Sequence, residues 1–160
     1  MKIGIVIFSQ TGNTLCVAEK LKERFIEEGY DTDLKRIDQI DINNKDPKKI
    51  NIKDMPDISI YDLLIFASPV QAFTLAAVFK EYLQKLNSIE GKNVLCYVTK
   101  GLPTHGFGGN KSISIMEKII KSKGAAIKKS DIICWKKEEE RNMQISTLID
   151  TFSTFIKSLK

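Results

Sequence analysis

The chain is poor in the residues that build metal centres and covalent frameworks. It has one histidine, His105, and three cysteines, Cys16, Cys96 and Cys134, set far apart. An odd, scattered set of thiols argues against a disulfide framework, a Cys-x-x-Cys redox pair and a four-cysteine cluster, and fits a reducing cytoplasm. With so few imidazole and thiolate groups, a protein-held zinc or haem centre has little to draw on, and any redox chemistry has to come from an organic cofactor. Long apolar runs are also missing. None approaches the roughly 20 residues that a bilayer span requires, so no membrane insertion is expected. The apolar start, Lys2 to Phe8, is too short for a secretion signal and has no small-residue cleavage site, which predicts a cytoplasmic protein. Charge of one sign is scarce as well: the net charge is only +5, and the lysines are scattered instead of forming one block interleaved with aromatics. A nucleic-acid groove is therefore not expected.

What is present is a regular alternation. At 160 residues the chain is long enough to bury one core without staples, and with no internal repeat, low-complexity tract or linker it reads as a single domain, 1–160. Short apolar runs alternate with amphipathic segments, the pattern of an α/β fold in which helices cover both faces of a parallel sheet. Lys2 to Phe8 is a buried strand, and Val17, Leu21 and Phe25 then recur at helical spacing up to a capping Gly29. Thr32 to Ile37 alternates polar and apolar residues and suits an edge strand. Asp38 to Ser59, with Pro47 and Pro56, shows no sustained period and predicts an irregular crossover with at most a short helix. Further strands are expected over Ile60 to Ala67, Asn93 to Thr99 and Ala125 to Trp135, the last one bent. Helices are expected near Leu75 to Leu86, around Ile115 to Ile120 with an end at Gly124, and over Glu139 to Leu159. Five strands with intervening helices suit a doubly wound sheet with right-handed crossovers.

In such a sheet ligands bind beyond the carboxyl ends of the strands, so the loops after the first, third and fourth strands carry the function. The first is Ser9-Gln10-Thr11-Gly12-Asn13-Thr14, directly between a buried strand and a helix. Three hydroxyls, one glycine and the unpaired N–H groups of a helix start make a cradle for a phosphate, favoured by the positive end of the helix dipole. The loop has no lysine followed by Ser or Thr, as a nucleoside-triphosphate loop needs, and no trio of spaced glycines, as a dinucleotide loop needs. A phosphatase loop would want a nucleophilic cysteine and a nearby arginine, whereas Cys16 falls inside the helix and Arg24 two turns on. A terminal monophosphate is the better guest; the competing reading is that these residues only cap the helix.

This loop resembles the Ser/Thr-x-Thr-Gly-x-Thr phosphate loop of the flavodoxin family, at the expected place after the first strand. The resemblance implies a flavodoxin-like three-layer sandwich over nearly the whole chain, with a five-stranded parallel sheet of order 2-1-3-4-5, and FMN as the cofactor. The second loop, Ala67-Ser68-Pro69-Val70-Gln71-Ala72-Phe73, is similar to the family's Gly-Ser/Thr-Pro-Val/Thr segment beside the isoalloxazine ring, with alanine in place of the usual glycine at its start. By that likeness Ser68, Pro69, Val70, Gln71, Ala72 and Phe73 are candidate ring contacts; otherwise Pro69 ends the strand and Phe73 enters the core. The third loop runs from Thr99 to Asn110 and contains four glycines, which let a backbone approach a planar ring closely. It looks like the family's ring-clasping loop, which makes Thr99, Lys100, Gly101, His105, Phe107, Gly108 and Gly109 candidates. His105 could donate to the reduced ring, and Lys100 could stabilise negative charge on it; either could equally be a surface residue.

The resemblance implies an electron-transfer protein whose exposed ring edge exchanges electrons with redox partner proteins, as a monomer or homodimer. The alternative is an FMN-dependent NAD(P)H or quinone reductase of the same fold, with a small-substrate pocket over the flavin. A cofactor-free module on this fold is disfavoured by the intact first loop.

Overall fold

A computed structural model describes residues 1–44, 46–102 and 108–160. Strand β1 (Lys2–Ile7) leads into helix α1 (Asn13–Glu27) and strand β2 (Asp31–Arg36). After a crossover that contains a 3-10 turn at Pro47–Lys49, strand β3 (Leu63–Gln71) is followed by a two-residue strand β4 (Thr74–Leu75) and helix α2 (Ala77–Lys85). Strand β5 (Asn93–Lys100), helix α3 (Gly109–Ser122), strand β6 (Ile127–Cys134) and helix α4 (Glu138–Lys157) complete the order.

The sheet runs β2-β1-β3-β5-β6, all parallel, with β4 attached antiparallel to β3. Setting β4 aside as a hairpin arm, this is the expected order of five parallel strands. β1 is apolar along its length because it is covered on both sides, and alternate residues feed two cores. Val6 joins Leu64, Phe66, Val94, Cys96 and Val98 beneath α2 and α3. Ile3, Ile5 and Ile7 join Leu63, Ile65, Leu95 and Tyr97 beneath α1 and α4. The expected stripe of α4 is present: Ile145, Leu148, Phe152 and Ile156 are buried, with Ile149 and Phe155 partly so. Helix α1 ends with the Tyr30 N–H on the Phe25 carbonyl and the Gly29 N–H on the Ile26 carbonyl, each at 2.9 Å, the double bond of a Schellman cap.

Three elements depart from the sequence expectations. β3 continues through Pro69 to Gln71. The Ala67 carbonyl faces β1, where it accepts the Phe8 N–H at 3.0 Å, so Pro69, two residues on, also faces that side, past the point where β1 has ended. A missing proline donor leaves no ladder bond unmade at such a place. Second, β3 folds back on β4 through Ala72 and Phe73, so α2 starts at Ala77, after the hairpin. Third, β6 begins at Ile127, and its pairing with β5 slips between Val94 and Leu95, leaving Lys128 as an extra residue. The slip is the expected bend, and it lies in an edge strand whose Lys128, Lys129 and Ser130 are exposed.

The C-terminal helix is fastened to α1 through one carboxylate. Glu28 accepts from Arg24 Nε at 2.6 Å, from Ser153 Oγ at 2.6 Å and from Lys157 Nζ at 3.0 Å. Burial alone would raise its pKa, but these three donors outweigh burial and hold the carboxyl at about 2. A depressed folded-state value means that the charged network stabilises the fold fully above the ordinary carboxylate range and is lost as pH falls through about 2. Glu28→Gln is expected to lower unfolding stability by about 1–2 kcal/mol at neutral pH in urea titrations, with the gap to the parent narrowing as the pH is lowered toward about 3.

Candidate functional site

The carboxyl ends of β1, β3 and β5 lie side by side, where a doubly wound sheet has its crevice, and the described parts of the three expected loops meet there. The first begins where β1 stops. Ser9 is buried, whereas Gln10, Thr11 and Gly12 are exposed. Gly12 takes a left-handed conformation with φ 91°, and no atom lies within 4 Å of where a Cβ would sit, so the concave side of the loop is open. Helix α1 starts at Asn13 with no side-chain cap and no acidic residue in its first turn.

The hydrogen bonding of this turn has a direction. Several of its acceptors are engaged: the Ser9 carbonyl by Arg36 Nη2 at 2.7 Å, Ser9 Oγ by the Leu15 N–H at 3.3 Å and the Gly12 carbonyl by the Cys16 N–H at 2.9 Å. The Thr14 carbonyl accepts from the Tyr97 hydroxyl at 2.8 Å. Tyr97 is fully buried, and burial drives its phenol well above the ordinary range, so it remains a neutral donor. Among the described residues no hydrogen bond takes the N–H groups of Gln10, Thr11, Gly12, Asn13 or Thr14. A turn with several acceptors engaged by neighbouring elements and a run of backbone donors available suits an anion.

The three loops are joined pairwise. Gln71 Nε2 donates to Gln10 Oε1 at 2.6 Å, linking the second loop to the first. Thr14 Oγ1 and Thr99 Oγ1 lie 2.8 Å apart and share a buried hydrogen bond, linking the first to the third. Gly108, with φ 86°, sits under the hairpin: a Cβ there would come within 2.6 Å of Val70 Cγ1 and 2.7 Å of the Phe73 backbone, linking the third to the second. Only a glycine allows this approach. Gly109 packs equally tightly on Ile132 of β6, where a Cβ would lie 2.9 Å from Cδ1.

The candidates therefore divide. Gln10, Thr11, Gly12 and, in part, Asn13 face outward at the crevice. Ser9, Thr14, Ser68 and Thr99 are buried and hold the loops in place; Ser68 Oγ donates to the Pro69 carbonyl at 3.0 Å. Pro69, Val70 and Gln71 are half-buried on β3. Ala72 and Phe73 form the hairpin tip, and Phe73 is 56% exposed instead of entering the core. Lys100 is buried at the end of β5, where its carbonyl accepts the Trp135 N–H at 2.8 Å, and Gly101 is exposed with open space above it. His105 and Phe107 lie outside the described residues.

Three features were not read from the sequence. Arg36 enters the site from the end of β2, which pairs with β1 in the register Ile7 to Arg36; a basic residue closing the neighbouring strand is the signal that could have found it. Tyr97 supports the first loop from beneath, and its place inside an apolar strand gave no hint of that. The hairpin has no Asn-Gly or similar turn signal, because Ala72 and Phe73 hold φ values of 47° and 60° without glycine.

With the geometry in place, known proteins can be compared. No family model matches the sequence, and no curated protein sequence is similar to it. Solved structures do match. Oxidised flavodoxin 1 from Bacillus cereus superposes with a TM-score of 0.69 at 17% identity, covering 100% of both chains. The flavodoxin of Streptococcus pneumoniae TIGR4 gives 0.67 at 19% identity, over 96% of this chain and 99% of that one. A protein assigned as a flavoprotein, from Bacteroides eggerthii DSM 20697, gives 0.65 at 22% identity, over 95% of this chain and 98% of that one. The chain has the flavodoxin-like fold.

The left-handed residues of the hairpin are strained by roughly 1–2 kcal/mol each relative to glycine's freedom there. Ala72→Gly is accordingly expected to raise stability by up to about 1 kcal/mol. Gly108→Ala is expected to lower it by about 2 kcal/mol or more, since it adds both backbone strain and an overlap with Val70. Thermal unfolding of the two variants checks both signs.

Proposed function

We propose that the protein binds FMN and passes electrons between redox partner proteins. The observation that carries this reading is the first loop, where the backbone N–H groups from Gln10 to Thr14 are left available around an open glycine at the start of a 15-residue helix. Such a donor set fits a phosphate monoester, and the two loops joined to it supply flat backbone and apolar surface for a ring. The flavodoxin-like fold supports the same assignment, since the crevice lies where that topology switches direction.

FMN, when bound, supplies the one- and two-electron chemistry of its isoalloxazine ring. The chain's part is to bind and orient it. The N–H groups from Gln10 to Thr14 and the Thr11 hydroxyl hold the phosphate. Gln71 and the backbone from Pro69 to Phe73 flank the ring on one side, and Thr99 to Gly101 on another. The Thr14–Thr99 and Tyr97–Thr14 hydrogen bonds keep the first loop in register with the third, so that phosphate and ring sites hold a fixed spacing. Phe73, held out at the hairpin tip, gives the ring an aromatic neighbour.

Titration of the apoprotein with FMN, followed by quenching of flavin fluorescence, tests the reading. Saturable binding is expected, with Thr11→Val weakening it roughly tenfold through loss of one charge-assisted hydrogen bond. Thr14→Val is expected to weaken binding and also lower stability, because its hydroxyl bonds Thr99. Absence of saturation, or affinity unmoved by both substitutions, defeats the proposal. Steady-state assays with NADH, NADPH and a quinone separate a carrier from a reductase: a carrier turns over little without a partner enzyme.

A further inference from the structure

The first loop contains no cationic residue, yet one cation reaches it from outside. Arg36, the last residue of β2, places Nη2 2.7 Å from the Ser9 carbonyl oxygen, and its side chain is about half exposed. Its Nε lies 3.4 Å from Asp38 Oδ1. The Ser9 carbonyl is the first acceptor of the turn, and left unengaged it would present partial negative charge beside an anion site. The guanidinium caps that oxygen and brings a permanent positive charge to the loop's base, because an arginine does not deprotonate in the working pH range. Asp38, at the other edge of the same guanidinium, partly offsets that charge.

Resting on the FMN reading, we propose that Arg36 is the residue that makes this site select a phosphorylated flavin over an unphosphorylated one, with Asp38 as its counterweight. Arg36 acts as a positioning and electrostatic residue. It fixes the Ser9 peptide so that the following N–H groups point into the crevice, and its charge favours a dianionic guest. The ring subsites, assigned to residues 68–73 and 99–101, lie on β3 and β5, whereas the hydrogen bond and the ion pair of Arg36 run to Ser9 and Asp38. The expected signature is therefore a change in the ratio of affinities for FMN and riboflavin, two probes that differ only in the phosphate.

The experiment measures both affinities by fluorescence quenching in the wild-type protein and in Arg36→Gln, Arg36→Lys and Asp38→Asn, at low and high salt. Arg36→Gln should weaken FMN about tenfold, leave riboflavin unchanged and flatten the salt dependence of FMN binding. Arg36→Lys should restore most of the loss, because the charge returns. Asp38→Asn should shift the ratio the other way, toward FMN. An Arg36→Gln protein that loses both flavins equally, or neither, overturns the proposal, while FMN binding by the parent protein stands. If Arg36→Gln does not fold by circular dichroism, Asp38→Asn decides, and an unchanged ratio there overturns it. A wild-type protein that binds FMN no tighter than riboflavin removes the phosphate reading of the loop and this proposal together.

Discussion

The site exists because two neighbouring strands stop at different places. β1 ends at Ile7, while β3, paired to it up to Ala67, runs on to Gln71. At that step the chain leaves the sheet, and the backbone groups of the next residues lose the ladder that would have satisfied them. Helix α1 starts only at Asn13, so the turn between carries donors that neither the sheet nor the helix uses. A buried segment could not tolerate this, because unpaired N–H groups away from water are penalised. At an exposed strand end the same groups escape that penalty and remain available to an anion.

Orientation of the turn follows from what surrounds it. Four acceptors in and beside the turn take donors from elsewhere: the Ser9 carbonyl from Arg36 of β2, the Thr14 carbonyl from Tyr97 of β5, and Ser9 Oγ and the Gly12 carbonyl from Leu15 and Cys16 of the helix itself. The polarity of the loop is thus imposed by three separate elements, and no residue of the loop has to carry charge. Neutral donors on a rigid support suit a cofactor that must be held through changes of electron count. The pairwise links among the loops extend that rigidity to the ring side of the crevice.

Much of the architecture was legible in the sequence because buried parallel strands and amphipathic helices write distinct periods. Val17, Leu21 and Phe25 at helical spacing, and the unbroken run of β1, each have one physical reading. The first loop was legible as well, since a Ser/Thr/Gly turn between strand and helix is a local pattern. What depended on contacts across the chain was not. Arg36 is 27 residues from Ser9, and only the parallel register brings it near. Phe73 reads as core by hydrophobicity, but a left-handed backbone turns it outward. Pro69 reads as a strand terminator, yet its missing donor falls on the β1 side of β3 past the end of β1, where the β1 ladder has no bond to lose.

The irregular pairing of β6 has a consequence for how molecules meet. An outermost strand with a flat, complete row of backbone groups invites another chain to add to it. Here the rim is kinked by the surplus Lys128, and a run of solvent-facing ammonium groups guards it. Intermolecular growth of the sheet along that border is disfavoured by both shape and like-charge repulsion.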